Sequence, residues 1–320
     1  MKVLELPLRD TRAVLATGAP VFIPVNPVEY HGPHLSLRND ALVSGGLAKD
    51  LHARLAVTHP EWPFLEASPI ELGFEPCHGP GSRYVAFKEL KRIVREAVRA
   101  LCEIGCKRVV LMTFHGAPLH AWALEEGLKE AARHGAQGFS PLNLVLEQMM
   151  GVDAAEYAEA FAHIADEAER AEMMGNLAHD FHAGFFETSM ALHYAPESVS
   201  PTYVELPPCP KSEVDGALLN AAKAARAVGK DKLAQEFELA AVARGWQMMK
   251  PFLGYTGRPH RATAKAGSVF AKAIVDKYAK RAEEIFAGTN VSPTPILAWV
   301  KTATMGGRFG ASSRPMAEAN

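Results

Sequence analysis

The sequence predicts an α/β fold with a mostly parallel central sheet flanked by helices. Three observations predict it. Short apolar runs of strand length alternate with longer segments of helical period, the pattern of βαβ units. The first of those runs, Val21-Phe22-Ile23-Pro24-Val25, is apolar throughout rather than alternating, as in a strand covered on both faces. The residues able to do chemistry sit just past the runs, at the strand ends where such sheets bind ligands.

The elements follow in order. Val21-Phe22-Ile23-Pro24-Val25 is the first strand. Residues 41–55 read as a helix, and a second strand falls within 65–72. Residues 87–104 have helical spacing at Leu90, Ile93, Val94, Ala97 and Leu101, ending at Gly105, a good residue to close a helix. Residues 108–113 are the third buried strand. Residues 120–133 form a helix stopped by His134-Gly135, and 142–147 read as a fourth strand. Two helices are expected around 154–173 and 187–193. Residues 201–210 are rich in proline and break the pattern as a surface connection. Residues 211–243 return one or two helices, and 262–286 another. A single domain is expected over residues 1–302. Residues 303–320, rich in Gly, Ala and Ser, are expected to form a disordered C-terminal tail.

Composition narrows the function. The chain has 320 residues, 48% hydrophobic and 22% charged, which excludes a disordered or collagen-like chain. The formal net charge of −2 leaves no basic footprint for nucleic acid or an anionic membrane. The longest apolar runs fall far short of the ~20 residues that span a bilayer. The start, Met1-Lys2-Val3-Leu4-Glu5-Leu6, carries acid early and lacks the apolar run of a signal peptide. Four cysteines are too few for a disulfide framework. A soluble, cytoplasmic protein is expected.

Thirteen histidines are many, and their placement matters more than their number. Glu29-Tyr30-His31 directly follows the first strand. In extended chain, residues two apart point the same way, so Glu29 and His31 can address one point. Asp40 lies beyond a Gly-Pro loop at a helix start. A Glu, a His and an Asp at one strand end suit Zn, Mn or Fe. The same residues also fit a helix cap at Asp40 and a surface pair at Glu29 and His31. His115 leaves the third strand and adds a ligand candidate from a second strand end; His120 is expected on the next helix, exposed. Asp180-Phe181-His182-Ala183-Gly184 and Glu187-Thr188-Ser189 form a third cluster at another helix start.

Together the three clusters resemble the creatininase (creatinine amidohydrolase) family. Glu29-x-His31-Gly32-Pro33-His34-Leu35 followed by Asp40 is similar to its E-x-H-G-P-H-L…D signature. Gly79-Pro80-Gly81-Ser82 resembles its glycine loop. The strand ending at His115 resembles the segment ending N-G-H-G-G-N, and Asp180-x-His182-Ala183-Gly184…Glu187-Thr188-Ser189 resembles D-x-H-A-G…E-T-S. Gly254-Tyr255-Thr256-Gly257-Arg258-Pro259 and Ala262-Thr263-Ala264-Lys265-Ala266-Gly267 resemble a late glycine-rich stretch. The resemblance runs over roughly residues 15–285; its first and third motifs are the specific ones.

The resemblance implies a creatininase-like α/β sandwich. It further implies a metal-dependent amidohydrolase with two divalent ions (Zn, Mn or Fe) per subunit, cleaving a non-peptide C–N bond of a small molecule, amide or cyclic amide, by a metal-activated water. By position, Asp40 bridges the ions, Glu29 and His115 hold one, and His31 holds the other. In creatininase proper the further acid stands two residues past the strand-end His; here that residue is Ala117, which cannot ligate and argues against creatinine as substrate. Many relatives use the Glu of E-T-S instead, which assigns Glu187. His182 is the expected general acid or base, Asp180 a partner that fixes a His tautomer, and Gly81, Ser82 and Gly116 are candidate N–H donors to an oxyanion. Phe114 replaces a glycine, and Phe185 stands where many relatives have Glu. The resemblance also implies a homo-oligomer, a hexamer foremost. A non-catalytic binding or assembly protein of this fold, a formamide deformylase and a peptide-trimming hydrolase are the competing readings. His78 is a candidate substrate contact. Cys102 and Cys106 read as buried thiols, Trp122 and Trp246 as packing residues, and Arg83 as a surface cation or an anion contact.

Overall fold

The computed structural model describes residues 1–308. Helix α1 (Leu8–Leu15) leads into strand β1 (Val21–Pro24), helix α2 (Asn39–Thr58) and strand β2 (Leu65–Glu66). Helix α3 (Phe87–Glu103), strand β3 (Arg108–Met112), helix α4 (Pro118–Arg133) and strand β4 (Gln137–Phe139) continue the alternation. The rest is helical: α5 (Leu142–Met149), α6 (Glu167–Gly175), α7 (Phe185–Tyr194), α8 (Gly216–Ala227), α9 (Asp231–Gln247), α10 (Ala264–Phe286) and α11 (Ala298–Ala303).

The four strands form one parallel sheet in the order β2-β1-β3-β4. Val21 lies opposite Leu65 on one side and Val109 on the other. The chain steps from β1 outward to β2, then crosses back to β3 on the other side of β1. The loops leaving β1 and β3 therefore part in opposite directions, and the crevice between their carboxyl ends is where such sheets bind ligands. Right-handed crossovers place α2 on one face and α3 and α4 on the other. The packing agrees: α3 lies along α4, while α2, α7 and α10 pack together. Phe22, Ile23, Val109, Val110 and Leu111 are buried between these layers, and α3 turns a single stripe, Leu90, Val94, Val98 and Leu101, to the core. Among the described residues no helix is long and apolar enough to cross a membrane.

The structure corrects several expectations. Residues 142–147 are not a strand but lie in α5, and the fourth strand is Gln137–Phe139. Leu142-Asn143-Leu144-Val145-Leu146 is too short a run for its period to separate strand from helix. Pro141, with its fixed φ, precedes the helix, and the Asn143 amide donates to the Pro293 carbonyl. The helix expected at 154–173 is two pieces, a 3₁₀ segment Ala154–Phe161 and α6. Asp166 starts the second piece by accepting from the Ala168 and Glu169 N–H groups, a helix cap. Of the expected tail, Ala303 ends α11 and residues 304–308 continue as turns. Residues 309–320 lie outside the described residues.

Candidate metal centre

The site grows from the ends of β1 and β3. The chain leaving β1 carries Glu29 and His31, and Gly32 turns it at φ +64°, a left-handed conformation open to glycine. Asn26 pins this segment: its amide donates to Ser44 Oγ on α2, and its carbonyl oxygen accepts from the Phe114 N–H beyond β3. His115 thus starts next to the Glu29 loop. Asp40 stands in the first turn of α2 and Glu187 in the first turn of α7, at the positive ends of those helices. Just before α7, Ala183 is held at φ +46°, an uncommon conformation for a residue with a Cβ, and its N–H donates to Glu187 Oε2 at 2.6 Å.

Five side chains expected to ligate metal come together. His31 Nε2 lies 3.1 Å from Asp40 Oδ1 and 3.7 Å from Glu187 Oε2. His115 Nδ1 lies 2.7 Å from Glu29 Oε2 and 3.7 Å from Asp40 Oδ2. Asp40 therefore stands between the two imidazoles, one oxygen toward each. Glu29, His31 and Asp40 each expose 2% or less of their surface.

The ring nitrogens show what the arrangement can hold. His31 Nδ1 is bonded to the Glu29 backbone carbonyl at 3.1 Å and His115 Nε2 to the Phe74 carbonyl at 3.0 Å. His182 Nε2 is bonded to the Tyr30 carbonyl at 2.9 Å. A carbonyl only accepts, so each of those nitrogens carries the proton and the neutral ring presents a bare lone pair at the other. For His31 and His115 that lone pair faces carboxylate oxygen. Among the described residues, Glu29 Oε2 and both oxygens of Asp40 are buried without a hydrogen-bond donor. Lone pairs converging on lone pairs in a buried site call for a cation between them. The donors, imidazole nitrogen and carboxylate oxygen, fit a divalent Zn, Mn or Fe. Backbone acceptors behind the ligating rings are the usual way such rings are oriented.

Electrostatics agree. Burial would lower His31, but Asp40, then Glu29 and Glu187, overcome it and raise its pKa to about 10. His115 is raised to about 9, with Glu29 and Asp40 overcoming burial. Burial raises Asp40 and lifts Glu187 to about 8, while His115 and His31 overcome burial to hold Glu29 well below the usual carboxylate range. The cluster takes up protons when it lacks another source of positive charge. His182 differs: burial and the neighbouring His31 lower it to about 3, so it stays neutral. Its Nδ1 is 4.0 Å from Glu29 Oε1, and its ring stacks on His31 with centroids 4.4 Å apart.

The remaining expected residues separate into those near the centre and those that do something else. Asp180 does not orient a histidine; its carboxylate accepts from the Phe185 and Phe186 N–H groups and caps α7, with burial raising its pKa to about 7. Ser82 is no oxyanion donor, because its N–H is used on the Gly79 carbonyl; its hydroxyl donates to the Cys77 carbonyl and accepts from the Tyr30 N–H. Gly81 is exposed, with Leu37 where a Cβ would point. Gly116 is exposed beside His115. His78 does not enter the cluster; it is half-buried and shares a 3.0 Å hydrogen bond with the Tyr84 hydroxyl. Phe114 turns into the core against Phe186, and Phe185 packs on Phe161 and Phe270, so neither shapes the crevice. Arg83 is exposed. Cys106 is buried and Cys102 half-buried, both free thiols, and Trp122 is half-buried.

Three residues beyond those expected belong to the site. His120 is fully buried, not exposed: α4 begins two residues earlier than the pattern suggested, at Pro118, which turns His120 inward. It accepts from the Phe74 N–H and donates to the Val25 carbonyl, tying together the segments around His115. Trp246 packs 5.2 Å from His182 and donates to the Tyr255 carbonyl. Cys77, in the loop beside His78, reaches the centre. Burial, then Glu29, Glu187 and Asp40, push its thiol well above the ordinary value. A Cys beside a His in a glycine loop was the only signal for it.

Comparison with known proteins bears on this geometry. The family described as "Creatininase: Creatinine amidohydrolase" matches residues 5–282. A mycofactocin precursor peptide peptidase from Mycobacterium ulcerans (strain Agy99) is 28% identical over 201 residues, 61% of this chain; the match spans 66% of that relative. Among solved structures, one named "Creatininase Mn" is 19% identical, with a TM-score of 0.58 over 89% of this chain and 99% of that one. A putative creatinine amidohydrolase from Bacteroides fragilis NCTC 9343 is 20% identical, with a TM-score of 0.57 over 83% of this chain and 89% of that one. At these identities the solved structures speak for the fold.

Proposed function

This chain belongs to the creatininase (creatinine amidohydrolase) family of hydrolases, and from that premise we propose that it is a metal-dependent amidohydrolase acting on a C–N bond of a small molecule. One observation carries the reading: the two buried oxygens of Asp40 find no donor, yet each faces a histidine whose other nitrogen is bonded to a carbonyl. Asp40, shared by both, would hold two divalent ions, together with Glu29 and His115 for one and with His31 and Glu187 for the other. Solved creatininases named for Mn and for a Zn–Zn form support that choice of ions.

Bound divalent ions supply charge: they lower the pKa of water toward neutrality and polarise a carbonyl. The chain's own residues do the rest. His182, held by the Tyr30 carbonyl, keeps Nδ1 free at the edge of the cluster. There it takes the proton of the attacking water and passes it to the departing amine nitrogen, general base and then general acid. Trp246 packs over this ring, with Phe181 edge-on against Trp246, and limits access of bulk water. Ala117 offers no donor, which disfavours creatinine itself. The name of the mycobacterial relative favours a second reading, the trimming of a peptide end by the same centre. A homo-oligomer, hexameric foremost, is part of the proposal, and light scattering at micromolar concentration checks it.

Screening the metal-loaded protein against small amides, cyclic amides and short peptides tests the function. Turnover that stops on chelation and returns with Zn or Mn supports it. Turnover indifferent to chelation contradicts it.

A further inference from the structure

The glycine loop brings a thiol to the centre that the reading above leaves unused. Cys77 is buried, and its Sγ, a carboxylate oxygen of Glu29 and a ring nitrogen of His182 lie within 4.8 Å of one another. The loop is fastened to the segment that carries Glu29. The Cys77 N–H donates to Glu29 Oε1, the Ser82 hydroxyl donates to the Cys77 carbonyl at 2.7 Å, and the Tyr30 N–H donates to Ser82 Oγ at 2.9 Å. Among the described residues the sulfur's hydrogen-bond partner is the His78 carbonyl, at 3.6 Å. Glu29 itself calls for a ligand: Oε1 takes the Cys77 N–H, and Oε2, 2.7 Å from His115 Nδ1, is buried with no donor among the described residues. Cys106 shows what a packing thiol looks like here, buried within the apolar core. Cys77 is placed instead among a carboxylate and an imidazole.

We propose that Cys77 is a sulfur ligand to the ion held by Glu29, which makes that side of the centre soft and leaves the side of His31 and Glu187 hard. The inference rests on the metal-dependent reading above. On ligation the S–H bond breaks, a sulfur–metal bond forms and the proton leaves to solvent, so no oxidant or reductant takes part. Thiolate selects Zn-like ions, whereas carboxylate and imidazole accept Mn as well. The two ions of one centre then differ in preference, and the loop that carries Cys77 sets the difference.

Cobalt(II) reports the bond directly. The full-length protein is loaded with Co(II), as wild type and as Cys77→Ser, and the bound metal is quantified in each. The expected result is a sulfur-to-cobalt charge-transfer band in the near ultraviolet for wild type. In Cys77→Ser it disappears while Co(II) stays bound, and the preference for Zn over Mn falls by roughly tenfold or more. Wild-type protein that binds Co(II) without the band overturns the ligand assignment and leaves the metal reading standing, whatever the variant does. A band that survives in Cys77→Ser also overturns it. A wild-type protein that binds no Co(II) overturns both.

Discussion

The centre has two halves built by different means. His31 and His115 stand on chain leaving β1 and β3, and a backbone carbonyl holds each ring in place. Asp40 and Glu187 stand in the first turns of α2 and α7. Among the described residues, the Ala183 N–H donates to Glu187 and orients it, and the Asp40 carboxylate has no donor. The strand-end half is oriented before any ion arrives. The helix-borne half places carboxylates at positive helix ends, and on the proposed reading an ion would complete its contacts. The sheet thus supplies the oriented rings and the Glu29 carboxylate, and the helices supply two further carboxylates, so substitutions in the two halves should fail in different ways.

The largest effect is expected at Asp40, which faces both imidazoles. Asp40→Ala should lose both ions and all metal-dependent turnover with the fold largely intact, as read by elemental analysis beside circular dichroism. Wild-type metal content in that variant would remove Asp40 from the bridging role. Glu187 belongs to one side only, so Glu187→Ala should lose the ion on the His31 side, and activity with it, while the Glu29 and His115 side keeps its ion.

A smaller effect is expected at His182, whose ring is oriented like those of the strand-end half but which is proposed to carry a proton. His182→Ala should keep its metal and lower turnover by roughly 10²–10⁴-fold. If His182→Ala empties the site while Glu187→Ala leaves it full, the two roles are reversed. The smallest effect is expected at Asp180, which caps α7 rather than touching a histidine. Asp180→Ala should cost about 1 kcal/mol in denaturant unfolding with metal stoichiometry unchanged. Loss of an ion there would show that the helix-borne half needs a carboxylate behind it.

The strand-end half was the more legible in the sequence. Residues 21–25 and 109–112 are apolar throughout, and the Glu-x-His spacing puts two donors on one side of extended chain. The ligand cluster followed from three motifs at the ends of such runs. The elements that were misread have local reasons. The run 142–146 has no resolvable period at its length. The pattern starts the helix at His120 and leaves that ring outside, whereas the helix begins at Pro118 and the ring is buried. Asp180 looked like a partner for a histidine, but the histidines take backbone carbonyls, which no side-chain pattern records. Cys77 lies in a loop without periodicity, and only the fold brings it beside Glu29.

Anomalous diffraction from crystals grown with Mn or Zn tests the central claim most directly. The account predicts two peaks per chain with the Asp40 carboxylate between them, one beside His115 and Glu29 and the other beside His31 and Glu187. A single peak, or peaks that leave the Asp40 oxygens without a metal contact, would contradict it.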